Sequence, residues 1–328
     1  MVSERERRHA GVLRHVDVPI FRHWVGTGTS QQLSRVRFGA HVRAGTTLLP
    51  AIARADEIGA DVVQVFTQSP RAWKPTQYGP EVLAAYREAA EHHPGGLPTF
   101  CHATYLINLA SSDPGRFGLS TSCLAANLAV ARAIGAQGLV LHAGSHLGAG
   151  FDACLAQLAG ALVDALEATG DAPEAAAACP ILIENTAGAG GTVGRSLDEL
   201  ARILAAAGER PDMGICLDTQ HMWAAGIPYG SLDEADALVT EVERSVGLAR
   251  LGCLHVNDSA VAFGARRDRH ANVGEGTIGE RALGCLLGHP DLQGVPAILE
   301  VPGEGQGARA DDVAALRRAH ALGVGLRS

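Results

Sequence analysis

The chain has 328 residues, 47% of them hydrophobic, and a formal charge of −8. That length buries a large core, as one large or two ordinary domains, and the acidic balance leaves no global basic field for nucleic acid, so phosphate binding would have to be local. Seven widely spaced cysteines without a C-x-x-C exclude a disulfide framework or a cysteine zinc knuckle, and Lys74, the only lysine among 27 Lys and Arg residues, leaves Schiff-base chemistry a single candidate in the loop RAWKPT.

Residues 1–36 hold six arginines, three acids and a GTGTSQQ run without sustained periodicity, and read as an N-terminal extension. Its start, MVSERERRHAGVLRH, lacks the apolar segment of a signal peptide, and no run later in the chain approaches the roughly 20 apolar residues that span a bilayer. The expected location is the cytoplasm, without membrane attachment. From residue 37 to 328, short apolar runs alternate with Ala/Leu-rich amphipathic segments. The candidate strands in chain order are RFGAHV, DVVQVF, PTFCH, GLVLH, ILIEN, MGICLD, LGCLHV and PAILEV. Helical segments such as SCLAANLAVARAIG, DACLAQLAGALVDALEA and SLDELARILAAAG follow them. Eight such units predict a (β/α)₈ TIM barrel rather than an open doubly wound sheet of five or six strands.

The strands finish at His41, His102, His142, Glu184, Asp218, His255 and Glu300, so seven of the eight place a metal-ligand residue type where strand hands over to loop. In a barrel these ends share one face, where active sites are built. One histidine there is commonly a hydrogen-bonded structural residue. Four imidazoles and three carboxylates gathered without a cation would cost several kcal/mol per uncompensated charge. Imidazole with carboxylate and no thiolate points to zinc, with manganese or iron as alternatives, over calcium or magnesium. Three loop residues extend the pattern. His221 follows Asp218 by three positions in CLDTQHMWAAG, and Asp268 and His270 stand two apart in DRHANVGEG, a spacing that lets both side chains of an extended segment point the same way. Together His221, Asp268 and His270 make a complete three-residue set.

The segments GAHV, HATYLINLA, LHAGSHLG, IENTAG, CLDTQHMWAAG, LHVNDS, FGARRDRHANVGEGTIG and ILEVPG, in this order, closely resemble endonuclease IV, the abasic-site endonuclease family of base-excision repair. The resemblance runs from residue 37 to about 322. It implies a barrel of the xylose-isomerase-like kind carrying three zinc ions, with His102, His142 and Glu184 on the first. Glu184 would bridge to the second, which also takes Asp218, His255 and Glu300, and His221, Asp268 and His270 would hold the third. The implied reaction cuts the phosphodiester 5′ to an abasic sugar, leaving a 3′-hydroxyl and a 5′-deoxyribose phosphate, and clears blocked 3′ ends. Glu184 and Glu300 would orient the attacking water, and His41 would support them from behind.

The resemblance also implies a partner, double-stranded DNA with the abasic nucleotide extruded, and monomeric action. Arg71 in QSPRAW and Tyr105 and Leu106 in HATYLINL match the positions that fill the gap in the stack. Asn185, His146 and Glu275 fall within matched motifs without an assigned role. Residues 1–36 and Pro70 depart from the family pattern, and with a single lysine, phosphate contacts fall to arginine, backbone amides and helix N-termini.

Two other readings stay open at this level. A sugar isomerase or epimerase on the same barrel would use Glu184, Asp218, His255 and Glu300 around one metal, with no need of His102, His142, His221, Asp268 and His270. A non-catalytic damaged-DNA-binding protein would be expected to have lost ligands, and none is missing.

Overall fold

The computed structural model describes residues 36–168 and 179–328. The reading of residues 1–36 as an extension therefore falls, Val36 apart, outside the described residues. Eight strands form the barrel: β1 (Phe38–His41), β2 (Val62–Phe66), β3 (Thr99–His102), β4 (Leu139–Leu141), β5 (Ile181–Glu184), β6 (Met213–Asp218), β7 (Leu251–His255) and β10 (Ala297–Leu299). All eight adjacent pairs are parallel, and β10 pairs with β1 to close the sheet. The fold is a (β/α)₈ TIM barrel. Closure removes every sheet edge. A small antiparallel hairpin, β8 (Asp258–Ser259) with β9 (His270–Ala271), is inserted between β7 and β10.

Nine α-helices are described: α1 (Pro50–Ile58), α2 (Pro80–His92), α3 (Pro114–Ala133), α4 (Phe151–Ala168), α5 (Leu197–Ala206), α6 (Thr219–Ala225), α7 (Leu232–Ser245), α8 (Gly279–Leu287) and α9 (Ala310–Leu326). Helix α3 starts eight residues before the amphipathic segment SCLAANLAVARAIG. The Asp113 carboxylate accepts from the Arg116 N–H at 2.6 Å and Pro114 takes the first turn, a cap that periodicity alone does not reveal. Strands β4 and β10 each stop one residue short of the expected end, which leaves His142 and Glu300 just beyond the ladder.

Because side chains alternate along a strand, each strand feeds both the barrel interior and the shell beneath the helices. The outward set, including Val63, Val65, Leu139, Leu141, Ile181 and Ile183, joins one large core with the helices. The inward set forms a separate apolar layer of Val62, Phe100, Val140, Leu182, Cys216, Cys253 and Ile298, one residue from each of seven strands. The eighth strand contributes Gly39, where a Cβ would collide with the Val62 carbonyl. Two residues further along each strand, still facing inward, stand His41, Gln64, His102, His142, Glu184, Asp218, His255 and Glu300. A complete polar ring thus rests directly on a complete apolar floor.

Candidate metal centre

Seven members of the ring are the strand-end residues singled out in the sequence, and the loops bring His221, Asp268 and His270 to the same face. Asp218 caps α6 by accepting from the His221 N–H at 2.7 Å, which turns the chain so that His221 leans back over the barrel. His270 reaches the site from β9. The donor atoms fall into three abutting groups: His102, His142 and Glu184; Glu184, Asp218, His255 and Glu300; and Asp218, His221 and His270. Asp268 closes the third group, its two oxygens 3.3 Å from His221 Nε2 and 3.3 Å from His270 Nε2. Asp218 reaches the third group as well as the second, with Oδ2 at 3.7 Å from His270 Nε2, a double placement that the residue spacing does not indicate.

Each of four imidazoles is anchored through one ring nitrogen to a protein oxygen. His102 Nδ1 lies 2.7 Å from the Ala103 carbonyl, His221 Nδ1 2.9 Å from the Asn185 carbonyl, His270 Nδ1 2.9 Å from the Glu300 carbonyl, and His255 Nε2 2.9 Å from Gln64 Oε1. An oxygen accepts, so each of these nitrogens carries the hydrogen, and in a neutral ring the other nitrogen is bare. Those other nitrogens face carboxylates: His102 Nε2 is 3.2 Å from Glu184 Oε2, and His255 Nδ1 is 3.0 Å from Glu184 Oε1 and 3.2 Å from Glu300 Oε2. His270 Nε2 is buried with no hydrogen-bond partner. Acceptor facing acceptor at these separations is repulsive unless a cation or a proton lies between. The arrangement, with ring N–H groups held from behind and bare nitrogens and carboxylates converging in front, fits bound metal ions.

In the metal-free centre, protons fill that place. Burial works against charged imidazoles, yet the facing carboxylates push His102, His221 and His255 above the usual histidine value. For His41 and His142 burial prevails and the shift is downward. Burial likewise opposes ionisation of Glu184 and Glu300 but is outweighed, for Glu184 first by His142 and His255 and for Glu300 first by His255, so both carboxyls lie well below their usual range. Asp268, opposed by partial burial but held by His221, His270 and His142, is lowered to about 2.

His41, a member of the ring that belongs to none of the three groups, braces Glu300, with Nδ1 3.1 Å from Glu300 Oε1. Sequence reasoning missed Gln64 and Asn257. Asn257 donates to Asp218 Oδ2 at 2.6 Å and accepts from the Glu300 N–H at 2.7 Å, and Gln64 contacts His41, His255 and Glu300. The signal for Gln64 was an amide inside the apolar run VVQVF. Asn185 supports Asp218, accepting from its N–H at 2.6 Å. His146 accepts at Nδ1 from the Gly148 and Gly150 N–H groups and shapes its own loop. Glu275 accepts from Asn272 at 2.9 Å and lies 3.8 Å from Arg309, bracing the loop after β9 away from the ring.

In front of the ring opens a cavity of about 990 Å³ whose wall includes Trp73, Tyr105, Leu106, His142, His221 and Asp268. Tyr105 is 57% exposed although its ring packs edge-on to Phe66 and His102, so it projects as a firm apolar wedge at the rim. Arg71 is exposed in the loop after β2 and is not part of that wall; the Thr104 hydroxyl donates to the Pro70 carbonyl at 2.7 Å and ties its loop to the segment carrying Tyr105.

A protein-family profile described as xylose isomerase-like TIM barrel matches residues 52–320. A probable endonuclease 4 from Nitratidesulfovibrio vulgaris (strain DP4) is 36% identical over 282 residues, covering 86% of this chain and 98% of that protein. The chain belongs to the endonuclease IV family. The crystal structure of endonuclease IV from Thermus thermophilus superposes with a TM-score of 0.72 at 31% identity, over 87% of this chain and 98% of that one. A D-tagatose 3-epimerase-like protein reaches a TM-score of 0.61 at 17% identity, over 88% of this chain and 97% of its own, a likeness of fold alone. The nine residues expected as ligands, His102, His142, Glu184, Asp218, His221, His255, Asp268, His270 and Glu300, stand together on one face of the barrel.

Proposed function

We propose that this chain is a metal-dependent abasic-site endonuclease and 3′-phosphodiesterase of DNA base-excision repair. It would hydrolyse the phosphodiester 5′ to an abasic sugar in duplex DNA, leaving a 3′-hydroxyl and a 5′-deoxyribose phosphate. One observation carries the reading: three abutting groups of imidazoles and carboxylates meet at one face, and His142, His221 and Asp268 carry two of those groups into the wall of a cavity beside the aromatic wedge of Tyr105. The family membership selects DNA over a sugar as the substrate.

Three zinc ions fit the donor set, with manganese or iron as alternatives at one or more positions. His102, His142 and Glu184 would hold the first, Glu184, Asp218, His255 and Glu300 the second, and His221, Asp268 and His270 the third, with Asp218 within reach of it. When bound, such ions polarise phosphate oxygens and lower the pKa of an attacking water. Glu184 and Glu300, kept ionised, orient that water and accept its hydrogen bonds. His41 and Gln64 keep Glu300 from turning away. The cavity receives the extruded abasic nucleotide, Tyr105 and Leu106 fill the gap in the stack, and Arg71 contacts backbone phosphate. No helix among the described residues is long and apolar enough to cross a membrane. The chain would meet its DNA in the cytoplasm or nucleoid and act on it as a monomer.

The test is metal content by mass spectrometry beside incision of a duplex carrying one tetrahydrofuran abasic analogue. About three ions per chain and a single cut 5′ to the analogue are expected. One ion and no incision would favour a sugar isomerase or epimerase, and tight binding of the duplex without turnover a non-catalytic damage-binding protein.

A further inference from the structure

Among the eight inward residues of the polar ring, Gln64 alone is not a metal-ligand type. It sits on β2 with a side chain fully shielded from solvent, in register with His41 on β1 and Phe100 on β3. Its amide meets three other members of the ring. Nε2 lies 2.6 Å from Glu300 Oε1 and 3.0 Å from His41 Nδ1, and Oε1 lies 2.9 Å from His255 Nε2.

The chemistry of these neighbours fixes which way the amide points. A carboxylate oxygen only accepts, so the NH₂ group must face Glu300; the reverse orientation would set two acceptors against each other. With Nε2 committed to Glu300, the oxygen is turned to His255 and demands a hydrogen on His255 Nε2. A neutral His255 is then left with a bare Nδ1, the atom that faces Glu184 and Glu300 Oε2. On the other side, Glu300 Oε1 accepts from the Gln64 NH₂ group, with His41 Nδ1 3.1 Å away, which leaves Oε2 as the oxygen presented.

We propose that Gln64 is a positioning residue that holds the hydrogen on His255 Nε2 and engages one oxygen of Glu300, so that Nδ1 is the nitrogen bared and Oε2 the oxygen presented when an ion displaces the proton at the second metal position. The inference rests on the reading that His255 and Glu300 hold a metal. It also accounts for an amide in the ring. A histidine or carboxylate at Gln64 would add another group able to ligate or to exchange protons with its neighbours. An amide donates and accepts at once and does not change charge with pH.

Two variants test this in the full chain. Gln64→Met keeps the length and fills the space with neither donor nor acceptor. Gln64→Glu keeps an acceptor for His255 and sets a second carboxylate against Glu300. The readouts are ions per chain, zinc affinity by chelator competition, the visible absorption of cobalt-substituted protein, and kcat and KM on the tetrahydrofuran duplex. Gln64→Met is expected to weaken one of three ions by about 10–100-fold, the range for removing a partner that orients a metal ligand. The other two ions stay bound, kcat falls with KM little changed, and the cobalt spectrum shifts. Gln64→Glu is expected to lower affinity for the same ion.

Wild-type affinity, spectrum and kcat in Gln64→Met would overturn the proposal. So would an equal loss of all three ions with a lowered melting temperature, the mark of a merely structural residue. Should Gln64→Met fail to fold, Gln64→Glu decides the question by the same readouts. A wild-type chain without the ions would overturn the underlying reading instead, and that is seen before either variant is made.

Discussion

Glu184 is the most heavily contacted carboxylate of the centre. Its Oε2 faces His102 Nε2 at 3.2 Å and His142 Nε2 at 3.3 Å, while Oε1 faces His255 Nδ1 at 3.0 Å and His221 Nδ1 at 3.3 Å. Replacing one oxygen by NH₂ points hydrogens where the site needs lone pairs. Glu184→Gln is therefore expected to abolish incision of the abasic duplex while leaving its binding close to wild type, since no DNA-facing group is touched; full activity in that variant would remove the bridging role. Arg71 belongs to a different class of residue. It is exposed and lies outside the cavity wall, so Arg71→Ala should weaken duplex binding at unchanged metal content and reduce the slope of log affinity against log salt by about 1, the share of a single phosphate contact. Loss of metal in that variant would point to a structural role. At this scale the strand-end cluster was legible as a set of candidate ligands because charged and imidazole residues interrupt apolar runs at the same place in unit after unit. Asn257 was not, because a polar residue one step past the expected strand end looks like any loop residue until its two partners, Asp218 and Glu300, are brought beside it from other strands.

The hairpin of β8 and β9 is the element that the repeating βα pattern gave least reason to expect. Asp258 organises it. One carboxylate oxygen accepts from the Ser259 and Ile278 N–H groups at 2.8 and 2.9 Å, and the other from the Gly274 and Gly279 N–H groups at 3.0 and 3.1 Å. A buried carboxylate with four donors holds both ends of the insertion together, and Gly276 is small because a Cβ there would strike that carboxylate. This closes DRHANVGEG into a fixed platform for Asp268 and His270. Asp258→Ala leaves four backbone donors without their acceptor, at a cost of about 1–3 kcal/mol for each one that water does not reach. The expected result is selective: metal content falls from about three ions to about two, because the other two groups belong to the barrel strands. An undiminished third ion would show that the hairpin holds itself without Asp258. The eight strands and their order could be read from alternating apolar runs, since a parallel barrel admits few connections. The hairpin could not, because two residues per strand give no periodicity, and α6 was hidden because Asp218 serves as both helix cap and candidate ligand.

For the molecule as a whole, metal and proton compete for the same place. In the metal-free chain His221 and His255 have values raised above the usual 6.5, so their contribution to stability is fully present below about that pH and is lost as pH rises through the raised values. Glu184 and Glu300 are depressed, so theirs is present above the usual carboxyl value of 4.5 and is lost as pH falls toward the depressed values. The metal-free protein therefore gains most from this cluster in mildly acidic solution. Ions bound by neutral imidazoles follow the opposite course, since fewer protons compete as pH rises. The gap in melting temperature between zinc-loaded and chelator-treated protein is expected to widen between about pH 6 and about pH 8. An unchanged or narrowing gap would contradict the proton-for-metal account.

The order of the ring residues along the chain also sets an order in time. During synthesis the residues emerge in order, and the three groups become complete at different moments: the first at Glu184, the third at His270, and the second only at Glu300. The group that needs β10 is also the one that needs the closing strand of the barrel, because β10 pairs with β7 and β1. A nascent chain still short of Glu300 holds every residue of the first candidate set but lacks one of the second. Hydrolytic chemistry that depends on both is withheld until the barrel can shut.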